Sequence, residues 1–315
     1  MKCKWIGSGL LAVLVAFAAN PAAAEWPNDK PIKFIIPYGP GGGFDTIVRA
    51  FVPSLEKALG AQVVPENIPG AGGTKGAATV ARAAPDGYTI GIYNMPGFTV
   101  SALAGKNLGF DLDKVTWLAN LATARYGIAV KGDSPIRNFK DLCGQGRPAK
   151  MSDSGATSSI VTKISFELIN CPLVNVTGYK GSKSAMIAVM RGEVDATLKP
   201  VSSLKKFTKT GDLRLIVSFT DKPMVDGVDS TGELGYDRLA SFNLRRLVAA
   251  PAGLPDDIRK RLSDALLEAA NSAEVKDWAA KAGVALDPID SAGAAKMVSE
   301  IDNFYGQYKD IVAAK

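Results

Sequence analysis

Four loops in this chain run from a strand candidate into a helix candidate, and each is rich in groups that bind anions. The first is Pro37-Tyr38-Gly39-Pro40-Gly41-Gly42-Gly43-Phe44-Asp45. Glycines let backbone N–H groups face a ligand with no side chain in the way, and the helix start that follows adds partial positive charge. That combination suits a carboxylate or a phosphate. Asp45 reads as the helix cap, and its charge opposes a bare anion beside it unless water bridges the two. The other reading is an ordinary turn, but three consecutive glycines cost more entropy than a turn requires. The second loop, Asn67-Ile68-Pro69-Gly70-Ala71-Gly72-Gly73-Thr74-Lys75-Gly76, breaks both common phosphate-binding patterns at Lys75. Packing of helix on strand accounts for Gly76 and Ala77. The third, Ser152-Asp153-Ser154-Gly155-Ala156-Thr157-Ser158-Ser159, clusters hydroxyl donors at a helix start, where capping alone uses one of them. The fourth is Gly178-Tyr179-Lys180-Gly181-Ser182. There Tyr179 can wall a pocket, and Lys180 can pair with an anion or simply be solvated.

Other chemistry is excluded by composition. The 315 residues include no histidine and three cysteines. Histidine triads, Cys-His dyads, His-ligated zinc and four-thiolate zinc sites therefore cannot form. The net charge of +6 is too mild and too evenly spread to suggest nucleic acid. Ser202-Ser203-Leu204-Lys205 and Lys209-Thr210-Gly211 match the S-x-x-K and K-T-G triplets of β-lactam-acting enzymes. They lie almost adjacent on one helix and its end, whereas the chemistry needs them on distant elements that converge. A basic, solvated helix face is the better account.

The elements that must carry these loops alternate strand and helix. Ile32 to Ile36 is a strand candidate. Ile47, Val48, Phe51, Val52, Leu55 and Leu59 share one face of a helix that Gly60 ends, with Pro53 inside it. Val63-Val64, a helix over Thr74 to Ala84, and a strand over Tyr88 to Tyr93 complete a β-α-β-α-β unit, which demands a parallel sheet. Further strands are expected at Gly127 to Val130, Val174 to Thr177, Ala196 to Leu198, Leu213 to Phe219 and Leu244 to Ala249. The C-terminal helices, from Pro255 onward, have no strands of their own and must cover an earlier sheet. The pattern predicts two lobes, with crossings near 122–126 and 240–246. Lys2, Lys4, the apolar run Leu10 to Ala19 and Ala22-Ala23-Ala24 read as a secretory signal over 1–24, with the mature chain from Glu25. The apolar run is shorter than the roughly 20 residues of a membrane span. Cys3 leaves with the signal.

Together these residues resemble the periplasmic solute-binding proteins of tripartite tricarboxylate transporters, the TctC/Bug family, over essentially the whole mature chain. The resemblance rests on Trp26-Pro27, Lys30-Pro31-Ile32, Pro37 to Asp45 with Arg49, and Glu66-Asn67 with Pro69 to Gly73 and Gly76. It continues through Ala84-Pro85-Asp86-Gly87-Tyr88-Thr89, Tyr179-Lys180-Gly181, Gly192-Glu193-Val194-Asp195 and Ala250 to Pro255. It implies an α/β, two-lobed Venus-flytrap fold, each lobe a mainly parallel sheet flanked by helices. Lobe 1 is then 25–124 plus 245–315, and lobe 2 is 125–244. The family's first loop and serine-rich loop face each other across the cleft and hold one ligand carboxylate, partly through water. Ala188 stands where the family frequently has an aspartate.

The expected ligand contacts are Tyr38, Gly41, Gly42, Gly43, Phe44, Asp45 and Asn94 from lobe 1, and Ser154, Gly155, Thr157, Ser158, Tyr179, Lys180 and Gly181 from lobe 2. Arg125 and the Arg245-Arg246 pair are predicted near the crossings. There one of Arg125, Arg245 and Arg246 reaches a distal carboxylate with its fork of donors, unless these arginines serve interlobe salt bridges or are plain surface. Cys143 and Cys171 are predicted to form a disulfide, since an exported protein tolerates free thiols poorly. The function expected is a periplasmic, monomeric solute-binding protein with no cofactor or metal. It captures a di-, tri- or aromatic carboxylic acid and delivers it to the membrane components of the transporter. The competing reading is a secreted hydrolase using carboxylates or a Ser-Lys pair.

Overall fold

The computed structural model describes residues 26–153, 156–179 and 181–313. The signal segment, Ser154, Gly155 and Lys180 lie outside the described residues. In chain order come β1 (Ile32–Ile36), α1 (Gly43–Leu59), β2 (Val63–Asn67), α2 (Thr74–Ala81), β3 (Thr89–Met95), α3 (Gly97–Leu103) and β4 (Thr116–Lys131). Next are α4 (Phe139–Cys143), β5 (Ala149–Ser152), α5 (Ala156–Leu168), β6 (Leu173–Val176), α6 (Ser182–Met190), β7 (Ala196–Pro200), α7 (Val201–Lys209), β8 (Leu213–Ser218) and α8 (Asp237–Ala240). The chain closes with β9 (Asn243–Ala250), α9 (Asp256–Asn271), α10 (Ala273–Ala282), β10 (Leu286–Ile289), α11 (Ser291–Gly306) and α12 (Lys309–Ala313).

The strands run β2-β1-β3-β9-β4-β7-β5-β6, with β8 and β10 also paired to β4. β1 lies parallel to β2 and β3, as the β-α-β-α-β pattern requires. β5 lies parallel to β6 and β7. The join between the two halves is β4. Its first part pairs with β9 and β10, and its second part with β7 and β8. The stretch expected as a crossing near 122–126 is therefore the middle of a 16-residue strand. A correction concerns the C-terminal region, which does carry a strand: β10 pairs antiparallel to β4. Two halves, each with a parallel core and helices on its faces, make the two-lobed fold.

Each half has its own apolar core. Phe34, Ile36, Ile47, Val48 and Phe51 pack with Leu262 and Leu266 of α9 in the first. α1 supplies that face because its apolar residues recur every three or four positions. It runs unbroken through Pro53 and ends at Gly60, whose φ of 71° is left-handed. In the second half, Ile128, Met151, Val161, Ile164, Phe166 and Leu198 pack together, joined by Tyr305 and Tyr308 from the C-terminal region. The predicted disulfide is present. Cys143 at the end of α4 bonds Cys171 just past α5, with Cα atoms 5.2 Å apart.

Candidate functional site

The first glycine loop is fastened by Asp45. α1 begins at Gly43 with Gly42 as its cap residue, so Asp45 is the third residue of the helix and not its cap. The carboxylate reaches back to accept the Gly41 N–H at 2.8 Å. It also accepts the Asn67 amide at 2.9 Å and the Arg49 Nε–H at 2.8 Å. The same Asn67 amide donates to the Tyr38 carbonyl at 3.0 Å. Burial alone pushes the Asp45 carboxyl up, but the Gly41 N–H, the Asn67 amide and the Arg49 guanidinium together hold it below the usual range. The Gly41 N–H is thus committed to Asp45. The first-turn N–H groups of Gly43 and Phe44, which have no partner inside the helix, remain to face outward. Asp45→Ala is expected to release the loop and lower stability by about 2 kcal/mol, since it removes charged hydrogen bonds of roughly 1.5–3 kcal/mol each from a partly solvated site. The folded pKa lies below the unfolded one, so this contribution is present at neutral pH and lost as pH falls through the folded value. Melts at pH 7 and pH 3 check this: the variant's deficit shrinks at the lower pH.

Tyr38 and Phe44 of this loop meet Asn94 and Arg246. Asn94 on β3 pairs directly with Arg246 on β9, which puts both side chains on the same face. Asn94 donates to the Tyr38 hydroxyl at 3.0 Å. Burial pushes that phenol up to about 12, despite the Asn94 bond. The Arg246 guanidinium lies over the Phe44 ring, 5.6 Å from its centre. A Cβ at Gly43 would sit 3.9 Å from Arg246 Nη2. Burial draws the arginine down to about 10, so it stays a cation at neutral pH.

The second lobe brings the start of α5 to meet this group. A Cβ at Gly97, the first residue of α3, would lie 2.6 Å from Thr157 Oγ1 and 2.9 Å from Asn94 Cγ. Thr157 and Asn94, one from each lobe, therefore meet over a position that has no room for a side chain. Ser158 accepts from Lys199 Nζ at 3.4 Å. Lys199 is only 1% exposed and Asp153 is fully buried. Burial pushes the Asp153 carboxyl up, and Lys199 with the Ser158 and Thr162 hydroxyls only partly offsets it. Burial draws Lys199 down to about 8 against the opposing pull of Asp153. Tyr126 links the lobes electrostatically, feeling both Arg246 and Asp153. Arg246 Nε, Asn94 Oδ1 and Asp153 Oδ2 are buried with no partner among the described residues.

A lysine whose pKa is lower in the folded state binds fewer protons there than in the unfolded chain. Stability from Lys199 therefore rises between about pH 8 and the unfolded value near 10.5. Lys199→Met removes this rise, and chemical denaturation at pH 7.5 and pH 10 shows it as a flatter profile than wild type. An unchanged profile would place the ammonium in solvent.

Other expected contacts are not brought to this place. Arg245 alternates to the opposite face of β9 from Arg246, where it pairs with Asp287 at 2.7 Å. Arg125 donates to the Ala240 carbonyl at 3.0 Å. Both line a cavity of about 400 Å³ beside Glu300, Phe304 and Tyr305, away from the glycine loop. Arg246, and not Arg245, is the arginine of the pair that stands at the loop. Tyr179 packs against the apolar cluster under α6, where Ala188 is also buried. Gly181 caps α6 and donates to Ser184 Oγ at 3.2 Å. The Ser202 and Lys205 pair stays on α7, with Lys205 exposed. Lys199, Asp153 and Tyr126 lie outside the set read from sequence. The one available signal was a lysine near the end of β7 and an aspartate just past the end of β5.

Among the described residues no helix is long and apolar enough to cross a membrane, and no cluster could hold a metal ion. A family model described as the tripartite tricarboxylate transporter family receptor matches residues 47–310. A UPF0065 protein of Bordetella pertussis is 27% identical over 270 residues, covering 84% of this chain and 83% of that protein. The fold is similar to that of the periplasmic binding protein BugD, with a TM-score of 0.79 at 22% identity over 91% of this chain and 99% of BugD. It is also similar to MatC of Rhodopseudomonas palustris, solved with bound malate. There the TM-score is 0.78 at 22% identity, over 91% of this chain and 100% of MatC.

Proposed function

Because the chain belongs to the tripartite tricarboxylate transporter receptor family, we propose that it is an exported receptor that captures a small carboxylate between its lobes and delivers it to the membrane components of such a transporter. The observation that carries the reading is the cross-strand pair of Asn94 and Arg246, whose buried Oδ1 and Nε have no partner among the described residues; Gly43 at the start of α1 lies beside Arg246, and Thr157 at the start of α5 lies beside Asn94. Helix starts offer N–H donors and partial positive charge. Buried, unpaired polar atoms cost free energy until something satisfies them. A carboxylate meets both demands. The contacts we assign are Gly42, Gly43, Phe44, Tyr38 and Asn94 from the first lobe, and Thr157 and Ser158 from the second.

The malate in the similarly folded MatC supports this ligand class. The receptor performs no chemistry on its ligand. A hydrolase reading needs the Ser202 and Lys205 pair at the cleft, and Lys205 is instead exposed on α7. Export by the N-terminal segment, and work as a monomer, belong to the same proposal. A thermal-shift screen of di-, tri- and aromatic carboxylic acids tests it. A ligand at 100 times its dissociation constant stabilises by about 2.7 kcal/mol, and chromatography after incubation should return the acid unchanged. No shift with any acid, or turnover of one, would sink the proposal.

A further inference from the structure

Among the described residues, the buried charged side chains are Asp45, Asp153, Lys199 and Arg246. Three of them are matched within the protein. Asp45 pairs with Arg49 at 2.8 Å and takes two further hydrogen bonds. Asp153 and Lys199 lie within each other's field. Whether both are charged, or the proton has passed from lysine to carboxylate, that pair carries no net charge. Arg246 is the remainder. It is 5% exposed. Its Nε is buried without a partner among the described residues, and its neighbours are the Phe44 ring and the neutral Tyr126 phenol. An unmatched cation so largely withdrawn from water is costly until an anion joins it.

We propose that Arg246 supplies the counter-charge for the ligand's carboxylate beside the first turn of α1, and that the buried site accepts a ligand only when one full negative charge enters it. This rests on the carboxylate-receptor reading above and makes Arg246 its specificity-determining residue. The geometry agrees: Arg246 Nη2 lies 3.9 Å from the point a Gly43 Cβ would occupy, so its fork and the Gly43 and Phe44 N–H groups border one space. Guanidinium plus backbone N–H is a strong carboxylate cradle. Among the described residues, a second carboxyl group on the ligand has no further unmatched buried cation to meet. Dicarboxylates are therefore accepted for one end, and the other end can be neutral.

The test is calorimetry of wild type, Arg246→Met and Arg246→Lys with malate, succinate and adipate, each beside its monoamides and diamide. In wild type, at least one acid and one of its monoamides should bind within about tenfold of each other. The diamide should bind at least 30-fold more weakly. Arg246→Met should weaken the acid at least 30-fold, and the ligand-free variant should melt no lower than wild type, because an unmatched buried charge has gone. A purely structural arginine would instead lower the melting temperature. Arg246→Lys keeps the charge and should keep the preference of acid over diamide, at reduced affinity. Wild-type acid affinity in Arg246→Met, or equal binding of acid and diamide by wild type, overturns this inference while leaving a carboxylate receptor standing. Should wild type bind none of these acids while a wider panel yields a ligand without a carboxylate, the receptor reading falls and this inference falls with it.

Discussion

Replacing both Cys143 and Cys171 by alanine should lower the unfolding free energy by about 3.5 kcal/mol while leaving ligand affinity unchanged. The bond closes a loop with a sequence separation of 28. In the chain-entropy model a loop of that length restricts the unfolded ensemble by about this amount. Alanine is the right replacement because Cys171 is buried, and a serine hydroxyl there would add its own desolvation cost. The effect on binding follows from position. The bond ties α4 to the chain just beyond the C-terminal end of α5, whereas the candidate site lies at the N-terminal end of that helix. Leu142 and Phe166, next to the crosslink on either side, are fully or almost fully buried. They hold the packing in place once the bond is gone. Calorimetric melts should show a drop of roughly 7–14 °C, and titration with a ligand from the screen should give the wild-type affinity. Equal melting temperatures would mean that the unfolded chain already keeps these segments together. A tenfold loss of affinity would mean that α5 transmits strain along its length.

The first half of the fold could be read from the sequence because its signals are local. Ile32 to Ile36 is a short apolar run bounded by proline. The face of α1 repeats at helical spacing, and the Pro85-Asp86-Gly87 turn separates α2 from β3. The first part of β4 could not be read in the same way. Ala119, Asn120, Ala122, Thr123 and Ala124 dilute its apolar pattern. The strand is buried almost throughout its length, so the alternation that marks a half-exposed strand never develops. β10 is four residues long and contains Pro288, which argues against a strand.

The site was legible in kind more than in detail. Glycine density pointed to the first loop, but glycines carry no side chain to mark where the helix begins, so Asp45 looked like a cap when it is the third helical residue. Arg245 and Arg246 could not be told apart for a related reason. Their side chains must point to opposite faces of β9, and only the register with β3 decides which of them faces α1. Lys199 was hidden by being single. A lone lysine near the end of a short strand looks like surface until the fold puts Asp153 and Ser158 around it.

Gly43→Val should abolish carboxylate binding while leaving the fold intact, a loss of at least 1000-fold. Gly43 is the first residue of α1, and its backbone is not in the left-handed region that requires glycine. An added Cβ meets nothing closer than Arg246 Nη2 at 3.9 Å. The fold thus has no need of glycine at this position, and folding should tolerate a side chain there. Binding should not. The added methyl groups enter the space between the first-turn N–H donors and the Arg246 guanidinium, where the carboxylate is proposed to lie. Excluding it forfeits two or more charged hydrogen bonds of roughly 1.5–3 kcal/mol each, and a micromolar affinity of about 8 kcal/mol does not survive that loss. Gly41 is a different case, because its φ of 74° strains any other residue. Gly41→Ala should therefore lower stability and binding together, by roughly 1 kcal/mol for the backbone alone. Gly43→Ala serves as the graded control. It adds a good helix former, so it should melt at or slightly above wild type while binding some tenfold more weakly. Calorimetric titration beside thermal melts of the three variants separates these outcomes. If Gly43→Val bound the acid at wild-type strength, the first loop would be a turn and nothing more, and the carboxylate would have to be held from the α5 side by Thr157, Ser158 and Lys199.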